Sequence, residues 1–240
     1  MIDFHTHILP GIDDGSEDIR MTERMLEMEA SQSVTHIYAT PHFYAHRRSV
    51  QQFVERREGA LAKTRELIRK HPGLPEITAG AEVYYFQGMG KAEQLTELCI
   101  EGTDILLLEM PFTQWHTEQY RDVVEMIRKR HLLVVLAHVE RYEQFQKRTE
   151  IWDEILALPL TIQLNAGSFI AHGFGRHREQ KFCLNMLDRY DNCIIGTDCH
   201  NLTSRAPNLR DARVIIEKKL GAERLAEMDG YTDALLRSGG

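Results

Sequence analysis

Short apolar runs recur along the chain, and each is followed by a longer stretch with the spacing of an amphipathic helix. Several runs, including residues 105–108 and 132–136, are apolar on both faces of a strand. Strands of this kind are typical of parallel sheets that helices cover on both sides. The pattern predicts seven strands, at residues 2–5, 34–40, 76–84, 104–110, 132–138, 160–165 and 193–198.

Helical spacing fills the segments between these strands. Ser16, followed by Glu17 and Asp18, predicts the start of the first helix, because acidic residues are favoured at the positive end of the helix dipole. No internal repeat or low-complexity linker divides the chain. The predicted helices lie near residues 17–32, 49–71, 91–100, 117–130, 147–157, 176–190 and 208–219, with a tail helix near 222–236.

Seven strand–helix units in 240 residues predict an α/β fold with a single domain spanning residues 1–240. We expect a parallel (β/α)7 barrel, a distorted TIM-like barrel one unit short of eight. A doubly wound open sheet is the structural alternative. In both folds the functional residues collect at the carboxyl ends of the strands.

Composition excludes several classes of protein. A net charge of -7 without a basic run argues against general binding to nucleic acid or to a membrane surface. The first residues lack the features of a signal peptide, and no apolar run is long enough to cross a membrane. Four cysteines without a CxxC pair indicate a reducing compartment. We therefore expect a cytoplasmic protein without membrane insertion.

Histidine and acidic residues fall at or near the ends of six of the seven predicted strands, whereas the sixth strand ends at Asn165. In an extended segment, residues i and i+2 point to the same side, so both histidines of an HxH pair can reach one cation. Asp14 lies in the loop after the first pair. The candidate metal ligands are His5, His7, Asp14, His42, Glu82, Glu109, His138, Asp198 and His200.

Each of these residues also has an ordinary structural interpretation. Glu109 could end a strand at the solvent, His138 could be a hydrogen-bonded core histidine, and Asp13 and Asp14 could form a turn or a helix cap. Their coincidence at one face of a barrel favours a metal site, because several carboxylates buried together without cations would be very unfavourable. Of the remaining histidines, His46 and His177 are weak candidates for substrate contacts. Most are interpreted as structural or solvent-facing, namely His36, His71, His116, His131 and His172.

Two segments have the C-x5-R spacing of cysteine-dependent tyrosine phosphatases, from Cys199 to Arg205 and from Cys183 to Arg189. Neither contains the glycine that usually helps such a loop direct its N–H groups at phosphate. The second segment is expected to be helical, and Cys199 is expected to point away from the side shared by Asp198 and His200. A cysteine nucleophile is therefore disfavoured.

The opening segment, residues 1–15 with the sequence MIDFHTHILPGIDDG, resembles the bacterial polymerase-and-histidinol-phosphatase (PHP) family. Within that family it is similar to the manganese-dependent protein-tyrosine phosphatases of capsule and exopolysaccharide gene clusters. The resemblance spans roughly residues 1–220, and Val139, Thr197 and Cys199 depart from the usual pattern without removing a ligand. Further matching segments are ATPH (39–42), GAE (80–82), LEMPF (108–112), AHVER (137–141), QLNAGS (163–168) and DCHN (198–201).

The resemblance implies three divalent cations. One would be held by His5, His7, Glu82 and Asp198. Glu82 would bridge to a second cation, completed by Glu109 and His138. The third would be held by Asp14, His42 and His200. Oxygen and nitrogen ligands without thiolate suit Mn²⁺, Fe²⁺ or Zn²⁺, and the family indicates Mn²⁺.

The implied reaction is hydrolysis of phosphotyrosine by a metal-activated hydroxide, without a covalent phosphoenzyme. Arg141 and Arg205 follow metal-bearing strand ends, where a guanidinium could bind phosphate through two hydrogen bonds. Arg47 and Arg48, in the loop after His42, are weaker candidates for substrate binding. Each of the four could instead be an ordinary surface arginine.

The resemblance also implies a partner, the phosphorylated tail of a bacterial tyrosine autokinase that controls polysaccharide synthesis. A homo-oligomer is compatible with the sequence. Two other functions stay open at this point. One is a small-molecule phosphatase of the same fold, similar to histidinol phosphatase. The other is a non-catalytic binding protein that metal ions stabilise, although structural metal sites typically hold one closed ion.

Overall fold

The computed structural model describes residues 1–170 and 176–239. Every strand pairing within these residues is parallel, in agreement with strands that are apolar on both faces. The strands are β1 (Ile2–Thr6), β2 (His36–Ala39), β3 (His42–Phe43), β4 (Glu76–Ala79), β5 (Glu82–Tyr84), β6 (Ile105–Glu109), β7 (Leu133–Leu136), β8 (Thr161–Asn165) and β9 (Cys193–Gly196).

Helices follow most of the strands and cover the outside of the sheets. Short 3₁₀ segments at Met89–Lys91, Glu93–Leu98, Val139–Arg141 and Glu143–Phe145 complete the connections. Among the described helices, none is long and apolar enough to cross a membrane. The α-helices are α1 (Ile19–Ser31), α2 (Val50–Lys70), α3 (Thr117–Arg130), α4 (Glu150–Leu156), α5 (Ala166–Phe169), α6 (Arg176–Arg189), α7 (Leu209–Leu220) and α8 (Ala222–Ser238).

The strands form two sheets, ordered β1-β2-β4 and β3-β5-β6-β7-β8-β9. The predicted second strand ends at Ala39, and the chain resumes pairing as β3 after Thr40 and Pro41. The predicted third strand is divided at Gly80 and Ala81. Pro41 has no N–H for a sheet ladder, and a Cβ on Gly80 would come within 2.5 Å of Ile100. These interruptions shift His42 and Glu82 into the second sheet.

The last strand lies beside the first. The N–H of His7 donates to the Cys199 carbonyl at 2.9 Å, and the N–H of Asp198 donates to the His5 carbonyl at 2.7 Å. A Cβ on Gly196 would lie 2.7 Å from that of His5, so only glycine permits this approach. The predicted α/β fold with parallel strands is confirmed, and the contact between β9 and β1 supports the predicted seven-unit barrel.

Alternate residues of each central strand pack into two different apolar clusters. Ile105 and Leu107 face an inner cluster that Leu235 of the tail helix α8 also joins, whereas Leu106 and Leu108 face the helices. Because both faces are buried, these strands read as continuous apolar runs. The Asp104 N–H, just before β6, donates to the Gly239 carbonyl after α8 at 2.8 Å, so α8 ends at the opposite side of the sheet from the strand ends that carry the candidate ligands.

Several predicted helix boundaries differ from the structure. The first helix begins at Ile19 and not near Ser16, because Asp18 is the N-cap and accepts the N–H groups of Arg20 and Met21. The helix expected near 91–100 is two 3₁₀ segments. At the first of these, the carboxylate of Asp122 accepts the N–H groups of Gly88 (2.9 Å) and Gly90 (3.3 Å), which favours a tight turn over a regular helix.

Two further differences concern length. The helix expected near 147–157 is limited to Glu150–Leu156. The short helix α5 was not predicted, because four residues are too few to show helical spacing. Neither difference moves a candidate ligand.

Candidate metal centre

Four donor atoms from three strands meet at the carboxyl ends of the parallel strands. His5 Nε2 lies 3.1 Å from His7 Nε2. Glu82 Oε2 lies 3.4 Å from the His5 nitrogen and 3.3 Å from the His7 nitrogen. Asp198 Oδ1 lies 3.6 Å and 3.3 Å from the same two nitrogens. All four side chains are buried, so these atoms enclose one small volume away from bulk water.

This spacing fits a divalent cation. Donor atoms about 2.1 Å from a shared cation are separated from one another by roughly 3.0–3.4 Å. The Oε2 atom of Glu82 and the Oδ1 atom of Asp198 are buried without a hydrogen bond, although the nitrogens around them are close. Close contacts that lack hydrogen-bond geometry are the arrangement expected of metal ligands. His5, His7, Glu82 and Asp198 therefore suit the first predicted cation.

A second group forms around the opposite oxygen of Glu82. His138 Nε2 lies 2.7 Å from Glu82 Oε1 and 3.6 Å from Glu109 Oε1. On the other side, His42 Nδ1 lies 2.9 Å from Glu82 Oε2 and 3.8 Å from Glu109 Oε2. Glu82 thus directs one oxygen to each group, which is the geometry of a bridging carboxylate.

Asp14 marks the third group. Its Oδ1 atom lies 3.5 Å from His42 Nε2 and 3.6 Å from His200 Nε2, and the rings of His7 and His200 are tilted by 32° with their centroids 3.8 Å apart. The Asp14 side chain is 69% exposed whereas that of His200 is 3% exposed, so the group is open to the solvent on the Asp14 side. The structure brings all nine predicted ligands into one cluster. It also places His42 between the second and third groups, which the sequence did not predict.

Charges within the cluster are unevenly balanced. Burial disfavours the charged form of Glu82, but His5 and His42 outweigh burial and hold its pKa well below the usual range. Burial also opposes ionisation of Asp198, but His5 and His7 outweigh it and hold the pKa of Asp198 well below the usual range. In contrast, burial and the neighbouring Glu82 raise the pKa of Glu109 to about 8. A further carboxylate ionises poorly here unless positive charge is added, which bound cations would supply.

Two ligand residues adopt backbone angles that are unusual for residues other than glycine. His138 has a φ of 31° and Asp198 a φ of 52°, both in the left-handed region. Such a conformation is unfavourable by about 1–2 kcal/mol and is common at functional sites. Gln163 Oε1 holds the first by accepting the His138 N–H at 2.7 Å. Both turns direct the side chains from the strand ends toward the cluster.

Polar residues that were not predicted as functional support the ligands. Asp13 Oδ2 lies 2.7 Å from His7 Nδ1 and accepts the His42 N–H at 2.9 Å. Gln163 Oε1 lies 3.1 Å from His5 Nδ1. Such partners fix the orientation of metal-binding histidines. Asp13 could have been found in the sequence as the neighbour of the candidate ligand Asp14. The only sequence feature that marks Gln163 is that it is a polar residue inside an apolar strand.

Asn165, at the end of the strand that lacks a ligand, belongs to the same support. Its Nδ2 donates to Asp198 Oδ2 at 2.9 Å, and its Oδ1 accepts from Gln163 Nε2 at 3.0 Å. The sixth strand thus contributes to the cluster through hydrogen bonds and not through a ligand.

Both predicted phosphate-binding arginines reach the outer oxygen of Asp198. Arg205 Nη2 lies 2.6 Å and Arg141 Nη1 3.8 Å from Asp198 Oδ2. Asn201 accepts the Arg205 N–H at 3.0 Å, which closes the loop after β9 and returns Arg205 to the site. Arg141 stacks on the Phe112 ring at 4.7 Å. The two side chains are 43% and 39% exposed, so their guanidinium groups are accessible at the mouth.

The weaker candidates lie outside the ligand cluster. Arg47 stacks on the ring of Tyr44 at 4.6 Å, and Tyr44 lies beside His42 with ring centroids 5.2 Å apart. His46 is exposed in the same loop, and His177 is exposed on α6. His172 lies outside the described residues.

Cys199 points away from the ligands, as predicted. It is fully buried, and its Sγ lies 3.8 Å from Glu29 Oε1 on the far side of the strand. Burial and the carboxylate of Glu29 raise the pKa of its thiol well above the usual range. Cys183 is buried in α6, and burial raises its pKa too. Neither cysteine can supply a thiolate nucleophile.

We therefore expect Cys199→Ser to keep most of the phosphatase activity, within about threefold of the wild type, because the thiol does not touch the reacting groups. The measurement is steady-state kinetics beside thermal unfolding, which separates a loss of folded protein from a loss of chemistry. Trapping of a phosphocysteine, or a loss of several orders of magnitude in fully folded protein, would contradict this assignment.

Solved structures share this fold. One belongs to the crystal structures of YwqE from Bacillus subtilis and CpsB from Streptococcus pneumoniae, which are named as metal-dependent tyrosine phosphatases. It matches with a TM-score of 0.85 and 22% identity, covering 100% of this chain and 96% of the other. A chain of an archaeal ribonuclease P complex matches with a TM-score of 0.63 and 14% identity, covering 99% of this chain and 90% of the other. At these identities the likeness shows the fold alone.

Curated relatives extend over nearly the same length. Tyrosine-protein phosphatase YwqE of Bacillus subtilis is 26% identical over 245 residues, covering 99% of this chain and 92% of the relative. Tyrosine-protein phosphatase CpsB of Streptococcus agalactiae is 26% identical over 246 residues, covering 95% and 94%. The family model for capsular polysaccharide synthesis, CpsB/CapC, matches residues 1–231. The resemblance seen in the motifs is confirmed, and the chain belongs to the CpsB/CapC family.

Proposed function

We propose that the protein is a metal-dependent phosphatase that hydrolyses phosphotyrosine in a protein substrate. One observation carries this proposal. The inner oxygen of Asp198 faces His5 and His7, while its outer oxygen is contacted by Arg141 and Arg205. A phosphate at the mouth of the site can therefore meet the cation positions and two guanidinium groups at once.

We infer that the nine ligands hold three divalent cations, with Mn²⁺ as the physiological metal. Their donors are carboxylate oxygens and imidazole nitrogens, which suit Mn²⁺ and also Fe²⁺ or Zn²⁺. When bound, such cations lower the pKa of a water molecule and neutralise charge on phosphate oxygens. The full ligand set argues against a purely structural metal, because structural sites are typically closed around one ion.

The residues of the chain would divide the remaining work. Arg141 and Arg205 would orient the phosphate and balance the charge that develops as the P–O bond breaks. Asp13 and Gln163 would keep His7 and His5 in the ligand orientation. Tyrosine is a better leaving group than an aliphatic alcohol. Its phenol has a pKa of about 10, so it leaves phosphorus with less help from a general acid.

The substrate is proposed to be a phosphotyrosine-bearing protein of capsule or exopolysaccharide synthesis, such as the tail of a bacterial tyrosine kinase. The relatives carry the name tyrosine-protein phosphatase, and the family is that of capsular polysaccharide synthesis. A cytoplasmic location is part of this proposal and agrees with four buried, unpaired cysteines.

The test compares three substrates with the Mn²⁺-loaded protein. We expect turnover of p-nitrophenyl phosphate and of a phosphotyrosine peptide, and much slower turnover of histidinol phosphate. A preference for histidinol phosphate would identify a small-molecule phosphatase of the same fold. An absence of turnover with all three substrates would favour the non-catalytic, metal-stabilised binding protein.

A further inference from the structure

Three arginines form a cationic edge beside the candidate metal centre, which we call the arginine rim (Arg47, Arg48 and Arg56). Arg47 and Arg48 lie in the loop between β3 and α2, and Arg56 lies in the second turn of α2. Arg47 stacks on Tyr44, whose ring lies 5.2 Å from that of His42. The rim is therefore adjacent to the ligand cluster without belonging to it.

The rim has no compensating carboxylate among the described residues. None of its three guanidinium groups lies within 4.0 Å of a carboxylate oxygen of the described residues. Its one hydrogen bond to the backbone runs from Arg56 Nη2 to the Gly11 carbonyl, at 3.0 Å.

Like charges in the rim are close enough to affect one another. Burial lowers the pKa of Arg48, and Arg56 and Arg47 lower it further, while Asp13 opposes the shift. The carboxylate of Asp13 is already engaged with His7 and with the His42 N–H. Positive charge held together in a protein of net charge -7 points to an anionic ligand at this edge.

The start of helix α2 adds to the positive potential. Ser49 is its N-cap, and the first turn contains no acidic residue. The helix has 21 residues, so its full dipole directs partial positive charge at the rim. A cavity of about 480 Å³, lined by Arg48, Ser49, Phe43 and Phe86, opens next to it. There is thus room beside the rim for a side chain of a bound peptide.

We propose that the arginine rim binds an anionic side chain of the substrate that lies close in sequence to the phosphotyrosine. This inference rests on the proposed function. The distances of 4.6 Å from the Arg47 guanidinium to the Tyr44 ring and 5.2 Å from that ring to the His42 ring place the guanidinium within about 10 Å of His42. An extended peptide covers about 3.3–3.6 Å per residue, so the anion belongs two or three positions from the phosphotyrosine. Its charge comes from aspartate or glutamate, or from a second phosphotyrosine.

The experiment compares phosphotyrosine peptides that differ only at positions two and three residues on either side. One peptide carries alanine there, one carries glutamate, and one carries a second phosphotyrosine. We expect the wild-type protein to show a kcat/KM about tenfold higher for an anionic peptide than for the alanine peptide. The ratio should fall toward one at about 0.5 M salt, because exposed charges are then screened over a few ångströms.

In the double variant Arg47→Gln/Arg48→Gln we expect the same ratio to fall to between about one and two. The matched control is Arg69→Gln/Lys70→Gln, which removes two charges at the other end of α2, roughly 30 Å away, and should keep the wild-type ratio. Since each ratio is measured on a single preparation, a partly folded variant still gives a valid value. If the double variant does not fold, the single variant Arg47→Gln and the salt dependence of the wild type provide the same test.

The outcomes separate the two proposals. A glutamate preference without a preference for the second phosphotyrosine assigns the rim to acidic residues, and the reverse assigns it to multiply phosphorylated segments. Equal kcat/KM for all three peptides in the wild type, or an unchanged ratio in the rim variant, would overturn the inference while leaving the proposed function intact. A failure to hydrolyse any phosphotyrosine peptide would overturn the proposed function itself.

Discussion

Chelation of divalent cations is expected to abolish hydrolysis, and Glu82→Gln is expected to reproduce most of that loss. Glu82 directs one oxygen to His138 and the other to His5, His7 and His42. Glutamine keeps the shape but has no negative charge and offers one oxygen in place of two. The bridge between two cation positions is then lost, and we expect kcat/KM to fall by about 1000-fold or more.

Metal content should fall together with activity in this variant. The measurement is elemental analysis beside steady-state kinetics on p-nitrophenyl phosphate, before and after chelation and after addition of Mn²⁺. Activity of the wild type should return with Mn²⁺, whereas that of Glu82→Gln should not. Glu66→Gln is a matched control, because Glu66 lies exposed on α2 and pairs with Lys70 away from the ligand cluster. Full activity of metal-free wild-type protein would refute the metal centre altogether.

Arg141→Ala is expected to lower kcat/KM by roughly 30- to 1000-fold while metal content stays near that of the wild type. A charge-assisted contact to phosphate that strengthens in the transition state is worth about 2–4 kcal/mol. Arg141 and Arg205 meet at one oxygen of Asp198, so they are expected to act on the same phosphate. Lysine at position 141 keeps the charge but not the planar group, and should restore activity only in part.

The comparison with Arg205 extends this test. We expect Arg205→Ala to have an effect of similar size, and the double variant to lose less than the product of the two single losses, because the two contacts share one substrate group. Arg178→Ala is the control, since Arg178 is 72% exposed and pairs with Glu143 at the surface. Wild-type rates for both Arg141→Ala and Arg205→Ala would show that these residues are ordinary surface arginines. Loss of bound metal in these variants would instead show that the two arginines hold Asp198 in its position as a ligand.

The alternation of short apolar runs with segments of helical spacing is enough to predict the fold class. A run such as residues 105–108, apolar at every position, requires two apolar surroundings, and the structure supplies them as the inner cluster and the helices. The same argument predicts that the ligands lie near one another. All parallel strands of such a sheet end at one face, so residues just beyond those ends converge.

Local boundaries were less predictable, because contacts that are distant in sequence decide them. The segment near residues 91–100 has helical spacing, yet it forms 3₁₀ turns, and Asp122 of α3 accepts the N–H groups of Gly88 and Gly90 just before it. The interruptions at Pro41 and Gly80 were hidden within strand-like runs. Gly80 is explained only by the side chain of Ile100, which the fold places against it.

The sequence by itself determined which residue types stand at the strand ends and which of them share a side of the strand. Side chains of a strand alternate with a period of two, so their direction follows without tertiary information. Only the tertiary structure decided how those residues combine. It placed His42 between two groups, brought Arg205 to Asp198 and turned Cys199 toward Glu29. These relations depend on the register between strands and on loop paths. Such features are set by packing over the whole fold and have no signature within a short stretch of sequence.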